Sequence, residues 1–108
     1  MIALTEAEIT KAIPPGSPGI FKLMNKKGDV KKVGMAETDL AEVLKKAIHP
    51  KYEFFEFKAT ASDKAAWQQL CEAWHYHKKN DFLDSEDHPT PPRGKFWTCH
   101  FCEDSKRY

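Results

Sequence analysis

A nine-residue segment in the middle of the chain, residues 51–59, constrains the fold most. It reads KYEFFEFKA and contains four aromatic side chains, those of Tyr52, Phe54, Phe55 and Phe57. Aromatic residues favour strands, and successive side chains of a strand point to opposite faces of the sheet. Because the aromatic residues stand at both odd and even positions, the segment predicts an interior strand that is covered on both faces.

A β-hairpin is predicted earlier in the chain. Residues 19–24 and 29–33 are rich in apolar side chains, and the turn-forming sequence Asn25-Lys-Lys-Gly28 lies between them. Asparagine and glycine favour the tight turn that joins two antiparallel strands. The chain therefore contains three predicted strands.

Helices are predicted around these strands. Thr38 is the predicted cap of a helix whose apolar residues recur at helical spacing as far as His49-Pro50. Ser62 is the predicted cap of a longer helix over residues 63–79. A short helix or turn at residues 5–13 begins with a capping-box pattern. The order helix, strand, strand, helix, strand, helix predicts a small fold of the α+β class, followed by an irregular tail.

Length and overall charge exclude several classes of protein. The 108 residues include 17 Lys and Arg against 16 Asp and Glu, a net charge of +1. Such a chain lacks the positive field of a strongly basic nucleic-acid-binding domain. It contains neither an apolar run of the roughly 20 residues that a membrane span needs nor a signal-peptide pattern. We expect one cytoplasmic domain without a membrane partner, and the oligomeric state stays open.

The charges are nevertheless unevenly distributed. Residues 22–32 contain five lysines and one acid, whereas residues 81–87 contain four acids and no base. Two interpretations stay open, namely two solvated faces or a phosphate-facing patch on the first half of the chain. The candidate nucleic-acid-binding residues of such a patch are Lys22, Lys31, Lys32 and Lys45.

The tail contains a candidate zinc site. Cys99 and Cys102 have the Cys-x-x-Cys spacing with which two thiols bind one tetrahedral zinc ion. His77 and His88 precede them, with ten residues between the two histidines and ten between His88 and Cys99. Structural zinc bound by these four residues is predicted to order the tail, because metal binding supplies folding free energy. Other interpretations are ordinary thiols or a disulfide. Alternative donors are His75, His100 and Cys71.

The strands resemble those of the GIY-YIG nuclease family over residues 18–88. Gly19-Ile20-Phe21 stands where the family has Gly-Ile-Tyr, and Lys32-Val33-Gly34 where it has Tyr-Ile-Gly. Later positions also correspond, in the order of the family: Asp39-Leu40 at the start of a helix, Glu72 on a later helix and Leu83-Asp84-Ser85 near an expected Leu-x-Asn. Residues 89–108 resemble an extension of some prokaryotic members, and residues 1–17 precede the core.

The resemblance implies a small three-stranded antiparallel sheet flanked by helices. In active members a glutamate holds one divalent ion, Mg²⁺ or Mn²⁺, and tyrosines and an arginine line the same face, where the metal polarises the phosphodiester. Glu72 is thus the candidate metal ligand, with Phe21 and Lys32 at the tyrosine positions. A solvated glutamate on a helix surface is the alternative interpretation of Glu72.

The chain departs from the family at most catalytic positions. Phe21 lacks the tyrosine hydroxyl, Lys32 lacks the ring as well, the expected arginine falls near Val43, and the asparagine position holds Ser85. Losing a proton-transfer group or a cationic stabiliser costs orders of magnitude in rate. Three hypotheses follow: a degenerate domain that binds DNA, RNA or a protein partner; a residual metal-dependent endonuclease using Glu72; and a zinc-stabilised structural or interaction module.

Overall fold

The computed structural model describes residues 2–79 together with Gly94, Trp97 and Cys99. In this part of the chain, four strands and three helices confirm the α+β class. Their bounds are β1 Ile2–Ala3, α1 Glu6–Ala12, β2 Gly19–Met24, β3 Val30–Ala36, α2 Leu40–Lys46, β4 Phe54–Ala59 and α3 Asp63–Lys79. No helix among the described residues is long and apolar enough to cross a membrane.

The strands form one antiparallel sheet in the order β1-β4-β2-β3. β4 pairs with both β1 and β2, so it is an interior strand as predicted. The expected count of three strands is wrong, because Ile2 and Ala3 pair with Phe55 and Phe54. A strand of two residues is too short to show an alternating pattern, so the sequence could not reveal it.

The turn between β2 and β3 is organised by Asn25. Its side-chain Oδ1 accepts hydrogen bonds from the backbone N–H groups of Lys27 and Asp29, at 3.0 and 2.9 Å. Gly28 has a φ of 85°, a backbone conformation that favours glycine. The predicted hairpin is therefore confirmed, with its turn stabilised by an asparagine side chain.

β3 extends beyond its predicted end at Val33. Gly34 and Ala36 continue the pairing with β2, opposite Phe21 and Gly19. Glycine and alanine have low strand propensity, so the sequence pattern ends too early.

α1 and α2 cover one face of the sheet, called here the α1–α2 face. The Thr5 Oγ1 caps α1 by accepting a hydrogen bond from the Glu8 N–H at 3.2 Å, as predicted. α2 is capped by Asp39, whose Oδ1 accepts from the Glu42 N–H at 3.3 Å. The prediction of Thr38 as the cap is wrong by one residue, because Asp and Thr are both strong capping residues and the pattern does not separate them.

The core of the α1–α2 face is apolar and closed. Its centre contains five side chains with 0 % exposure, namely Ile9, Leu23, Leu40, Leu44 and Phe55. Burying a side chain of this size stabilises the fold by roughly 1.5–3 kcal/mol. This side of the sheet therefore supplies much of the stability.

α3 covers part of the opposite face, called here the α3 face, by packing on β2 and β3. It begins after Ser62, whose Oγ accepts a hydrogen bond from the Ala65 N–H at 3.1 Å, as predicted. β4 lies beside the helix on this face, and its side chains Glu56 and Lys58 are exposed. The prediction that β4 is covered on both faces therefore holds only for its α1–α2 face.

Candidate functional site

A cleft of about 490 Å³ lies on the α3 face, between the helix and the strands β2 and β4. The polar residues that line it are Lys22, Glu56 and Lys58 from the strands and Gln69, Glu72 and Tyr76 from α3. The three helical residues are separated by three and four positions, which places them on one side of α3. The cleft thus forms where the helix leaves the sheet uncovered.

The floor of the cleft carries both signs of charge. Lys22 and Glu56 stand directly opposite each other in the pairing of β2 with β4, and Lys58 follows Glu56 by two residues on the same face. Glu72 is exposed on the helical wall. Among the described residues, no ion pair joins these four side chains to one another. Their charges are therefore available to a ligand.

Tyr76 is the most exposed aromatic side chain of the cleft, with 65 % of its surface accessible. It lies one helical turn after Glu72. Large apolar surface normally packs into a core, so an aromatic ring on a cleft wall is a place where a ligand ring can stack.

Phe21 and Glu72 are separated by the sheet. Phe21 is 4 % exposed, and its ring belongs to the core of the α1–α2 face. A Cβ atom added at Gly34, its pairing partner in β3, would collide with this ring. Phe21 therefore belongs to the lining of the cleft as a residue of β2, whereas its ring is part of the core on the opposite face of the sheet.

The positions of the family's second tyrosine and of its arginine also lie away from Glu72. Lys32 pairs with Leu23, which places it on the α1–α2 face. Val43, near the expected arginine position, is partly buried against the core of that face. The structure therefore brings Phe21, Lys32 and Val43 to one side of the sheet and Glu72 to the other. Ser85 lies outside the described residues.

The four lysines predicted to bind nucleic acid do not form one patch. Lys22 lines the cleft. In the pairing of β2 with β3, Leu23 lies opposite Lys32 and the next residue, Met24, lies opposite Val30. Lys31 has no partner in β2 and is the extra residue of a β-bulge. Lys45 lies on α2, on the other side of the molecule. Of the predicted set, the cleft contains Lys22.

His77 lies on the sheet-facing side of α3 and is 8 % exposed. Its Nε2 has no hydrogen-bond partner among the described residues. Burial lowers the pKa of His77 below its usual value of 6.5, the positive charge of Lys22 lowers it further, and Glu56 opposes the shift. This imidazole is therefore held in its neutral form beneath the helix.

Cys99, one of the described residues of the tail, contacts His75. The Cys99 Sγ lies 3.4 Å from the His75 Nε2. Two residues apart on a helix point in directions roughly 200° apart, so His77 does not share this side. Among the described residues, no three His, Cys, Asp or Glu side chains group to hold a metal. His88 and Cys102 lie outside the described residues, and the zinc site stays a prediction.

Four polar residues of the cleft were not among the predicted site residues, namely Glu56, Lys58, Gln69 and Tyr76. A signal for the first two exists, because charged and aromatic side chains alternate over residues 55–58. Such alternation is typical of a strand with one buried and one solvated face. Tyr76 has the signal of a four-residue spacing from Glu72, which predicts a shared side of the helix.

Gly19, one of the glycines that carry the family resemblance, has a packing role like that of Gly34. A Cβ atom there would collide with the carbonyl oxygen of Lys58 in β4. Both glycines are therefore required by close approach within the sheet, whatever the chemistry of the site.

In comparisons with known proteins, the chain matches no protein-family model, no curated protein and no solved structure.

Proposed function

We propose that the chain is a GIY-YIG-like domain without ordinary nuclease chemistry, which binds single-stranded nucleic acid in the cleft beside α3. The observation that carries this proposal is the presence of two lysines, Lys22 and Lys58, in the same cleft as the exposed ring of Tyr76. Proteins that bind single strands combine cations that contact phosphates with aromatic rings on which bases stack.

The two lysines supply the phosphate contacts. They project from the same face of the neighbouring strands β2 and β4, and no described carboxylate forms an ion pair with them. A lysine ammonium acts on a phosphate as a point charge and imposes little geometry. Binding through such contacts is expected to be tolerant of sequence.

Tyr76 supplies the base contact. Stacking of one base on an aromatic side chain is worth about 1–3 kcal/mol. A base in a duplex is already stacked on its neighbours, so only an unpaired base offers its face to this ring. The cleft therefore favours single strands over duplexes.

Ordinary nuclease chemistry is not expected at this site. Position 21 holds phenylalanine, which has no hydroxyl, and position 43 holds valine instead of arginine. Glu72 therefore lies in the cleft without these two groups of the family. Replacing the family's tyrosine and arginine at the matched positions is expected to cost orders of magnitude in rate, because these groups transfer a proton and stabilise the transition state. Binding without cleavage is the expected outcome.

Binding is expected to be weak and only moderately sensitive to salt. Glu56 and Glu72 reduce the positive potential of the cleft, and the whole chain has a net charge of +1. Each phosphate contacted on a single strand contributes about −0.7 to the slope of log K against log salt, so two contacts predict about −1.4.

A fluorescence anisotropy titration tests the proposal. The ligand is a labelled oligothymidine or oligouridine of roughly twelve nucleotides, with a duplex of equal length as comparison. The Lys22→Ala/Lys58→Ala variant is expected to lose binding, whereas the matched Lys32→Ala/Lys45→Ala variant keeps it. Unchanged affinity in the first variant, or no binding to any single strand at low salt, would contradict the proposal.

A second candidate function is a residual divalent-metal-dependent endonuclease. It is favoured by one observation, that the exposed carboxylate of Glu72 lines the same cleft as that of Glu56. Carboxylate oxygens are suitable ligands for Mg²⁺ or Mn²⁺. This candidate requires that the unaltered chain cleave single-stranded, duplex or branched DNA and that Glu72→Gln lose this cleavage. The candidate is excluded if the unaltered chain cleaves none of these substrates, or if the variant still cleaves them.

A further inference from the structure

The helical wall of the cleft carries a carboxylate beside its exposed aromatic ring. Glu72 and Tyr76 are four residues apart on α3, and both are exposed and line the cleft. Side chains at this spacing are neighbours, with Cβ atoms about 5–6 Å apart. A long side chain on a helix leans toward the helix N-terminus, which brings the ring of Tyr76 toward Glu72. A base stacked on this ring therefore has one edge close to the carboxylate of Glu72.

The same wall leaves room for the edge of a base and offers it further polar groups. Ala73 lines the cleft between Glu72 and Tyr76, and its methyl group is the smallest side chain that the wall contains. Gln69 precedes Glu72 by one helical turn and is half-buried. Among the described residues, no ion pair involves Glu72. An ionised carboxylate only accepts hydrogen bonds, whereas the amide of Gln69 both donates and accepts.

The four bases differ in the hydrogen-bond donors that they offer to a carboxylate. Guanine presents two adjacent donors on its Watson–Crick edge, the N1–H and the N2 amino group, which match the two oxygens of a carboxylate. Cytosine and adenine present one amino group, and thymine and uracil present one N–H between two carbonyl oxygens that repel a negative charge. Single strands are read by such contacts to the Watson–Crick edge, together with stacking on an aromatic ring.

Resting on the proposed function, we propose that the cleft prefers guanine among the bases of a single strand. The guanine stacks on Tyr76 and donates its N1–H and N2 amino hydrogens to Glu72, while the amide nitrogen of Gln69 donates to its O6. The phosphate contacts of Lys22 and Lys58 carry no sequence information. The preference therefore applies to one position of the strand and leaves its neighbours unspecified.

Strands that differ at one base test the proposal. The labelled ligands are twelve-nucleotide oligothymidines whose central position holds thymine, cytosine, adenine, guanine or hypoxanthine, and fluorescence anisotropy measures their affinities at low salt. A single guanine avoids the self-association of guanine runs. We expect the guanine strand to bind at least about fivefold more tightly than the all-thymine strand, since a bidentate base contact discriminates to at least this degree. Hypoxanthine lacks the N2 amino group and should lose most of this gain. Equal affinities for guanine and thymine, or for guanine and hypoxanthine, would overturn the proposal.

A matched pair of variants identifies the carboxylate that reads the base. Glu72→Gln and Glu56→Gln each remove one negative charge from the cleft, so both are expected to strengthen phosphate binding in general. The readout is therefore the ratio of the affinities for the guanine and thymine strands. We expect this ratio to fall to about one in Glu72→Gln and to persist in Glu56→Gln. A ratio that persists in Glu72→Gln, or that is lost in Glu56→Gln alone, would overturn the assignment.

Failure of this inference is distinguishable from failure of the proposed function. If all five strands bind equally and binding is lost in Lys22→Ala/Lys58→Ala, the proposed function stands and the guanine preference is overturned. If none of the strands binds at low salt, both are overturned.

Discussion

The two faces of the sheet differ in how completely they are covered. On the α1–α2 face, two short helices close an apolar core in which Leu44 and Phe55 have no exposed surface. On the α3 face, a single longer helix lies over β2 and β3 and leaves the side chains of Glu56 and Lys58 in the open. Polar and charged groups can remain on the second face because a cleft there keeps them in contact with water. The difference separates the part of the molecule that stabilises it from the part that can bind a ligand.

β4 shows this division within a single strand. Phe55 and Phe57 contribute to the core of the α1–α2 face, and Glu56 and Lys58 between and after them line the cleft. Neighbouring residues of one strand thus have opposite roles. Substitutions at adjacent positions are therefore expected to have very different effects.

The largest expected effect is on the closed face. Phe55→Ala removes a side chain with 0 % exposure and should lower the free energy of unfolding by about 3–5 kcal/mol, through lost burial and the cavity left behind. Glu56→Ala, one residue later and exposed, should change it by less than about 0.5 kcal/mol. Urea denaturation measures both. Equal losses in the two variants would contradict the division of β4.

An intermediate effect is expected at the contact between β2 and β3. Gly34→Ala places a methyl group against the ring of Phe21 and should cost about 1–3 kcal/mol of stability through overpacking. In a Phe21→Leu background the ring is absent, and the same substitution should cost much less. A double-mutant cycle measures this coupling. Additive effects would show that the ring does not restrict position 34.

A smaller effect is expected at the start of α2. Asp39→Ala removes the side-chain acceptor of the Glu42 N–H and should cost about 1 kcal/mol. Thr38→Ala, at the adjacent position, should leave the free energy of unfolding nearly unchanged. Thermal or urea unfolding distinguishes the two, and a greater loss in the threonine variant would place the cap at position 38 instead.

The smallest effect concerns the pH dependence contributed by His77 beneath α3. Its pKa in the folded state lies below the usual value of 6.5, because burial and Lys22 disfavour the charged form more than Glu56 favours it. Below pH 6.5 the unfolded state therefore binds more protons, and stability falls as pH decreases through that window. His77→Gln should reduce this dependence between pH 7 and pH 5. A pH profile of His77→Gln identical to that of the unaltered chain would contradict the shift.

Most elements of the fold could be predicted, and the misses share a physical cause. The bounds of β2 and α3 follow from apolar patterns and a serine cap, which are local signals. β1 and the end of β3 depend on pairing with distant strands, and Ile2–Ala3 and Gly34 carry little local strand preference. Tertiary pairing thus overrides the weak propensity of these segments.

The candidate site was less predictable, because a motif position does not determine the face of the sheet on which a side chain lies. The resemblance groups Phe21, Lys32 and Glu72, whereas the strand register places the first two on one face and α3 covers the other. Likewise, equal spacing favours His77 as a zinc ligand, although helical geometry brings His75 to Cys99. The sequence alone shows which chemical groups the chain contains, but it does not show which of these side chains lie close together.

The most direct test of ligand binding on the open α3 face is an NMR titration of the ¹⁵N-labelled chain with a short oligothymidine. We expect amide shift changes to concentrate at the cleft, around Lys22, Lys58 and Tyr76. The α1–α2 face, including Lys32 and Lys45, should stay unchanged. Shift changes centred on Lys32 and Lys45, or no shift changes at low salt, would contradict it.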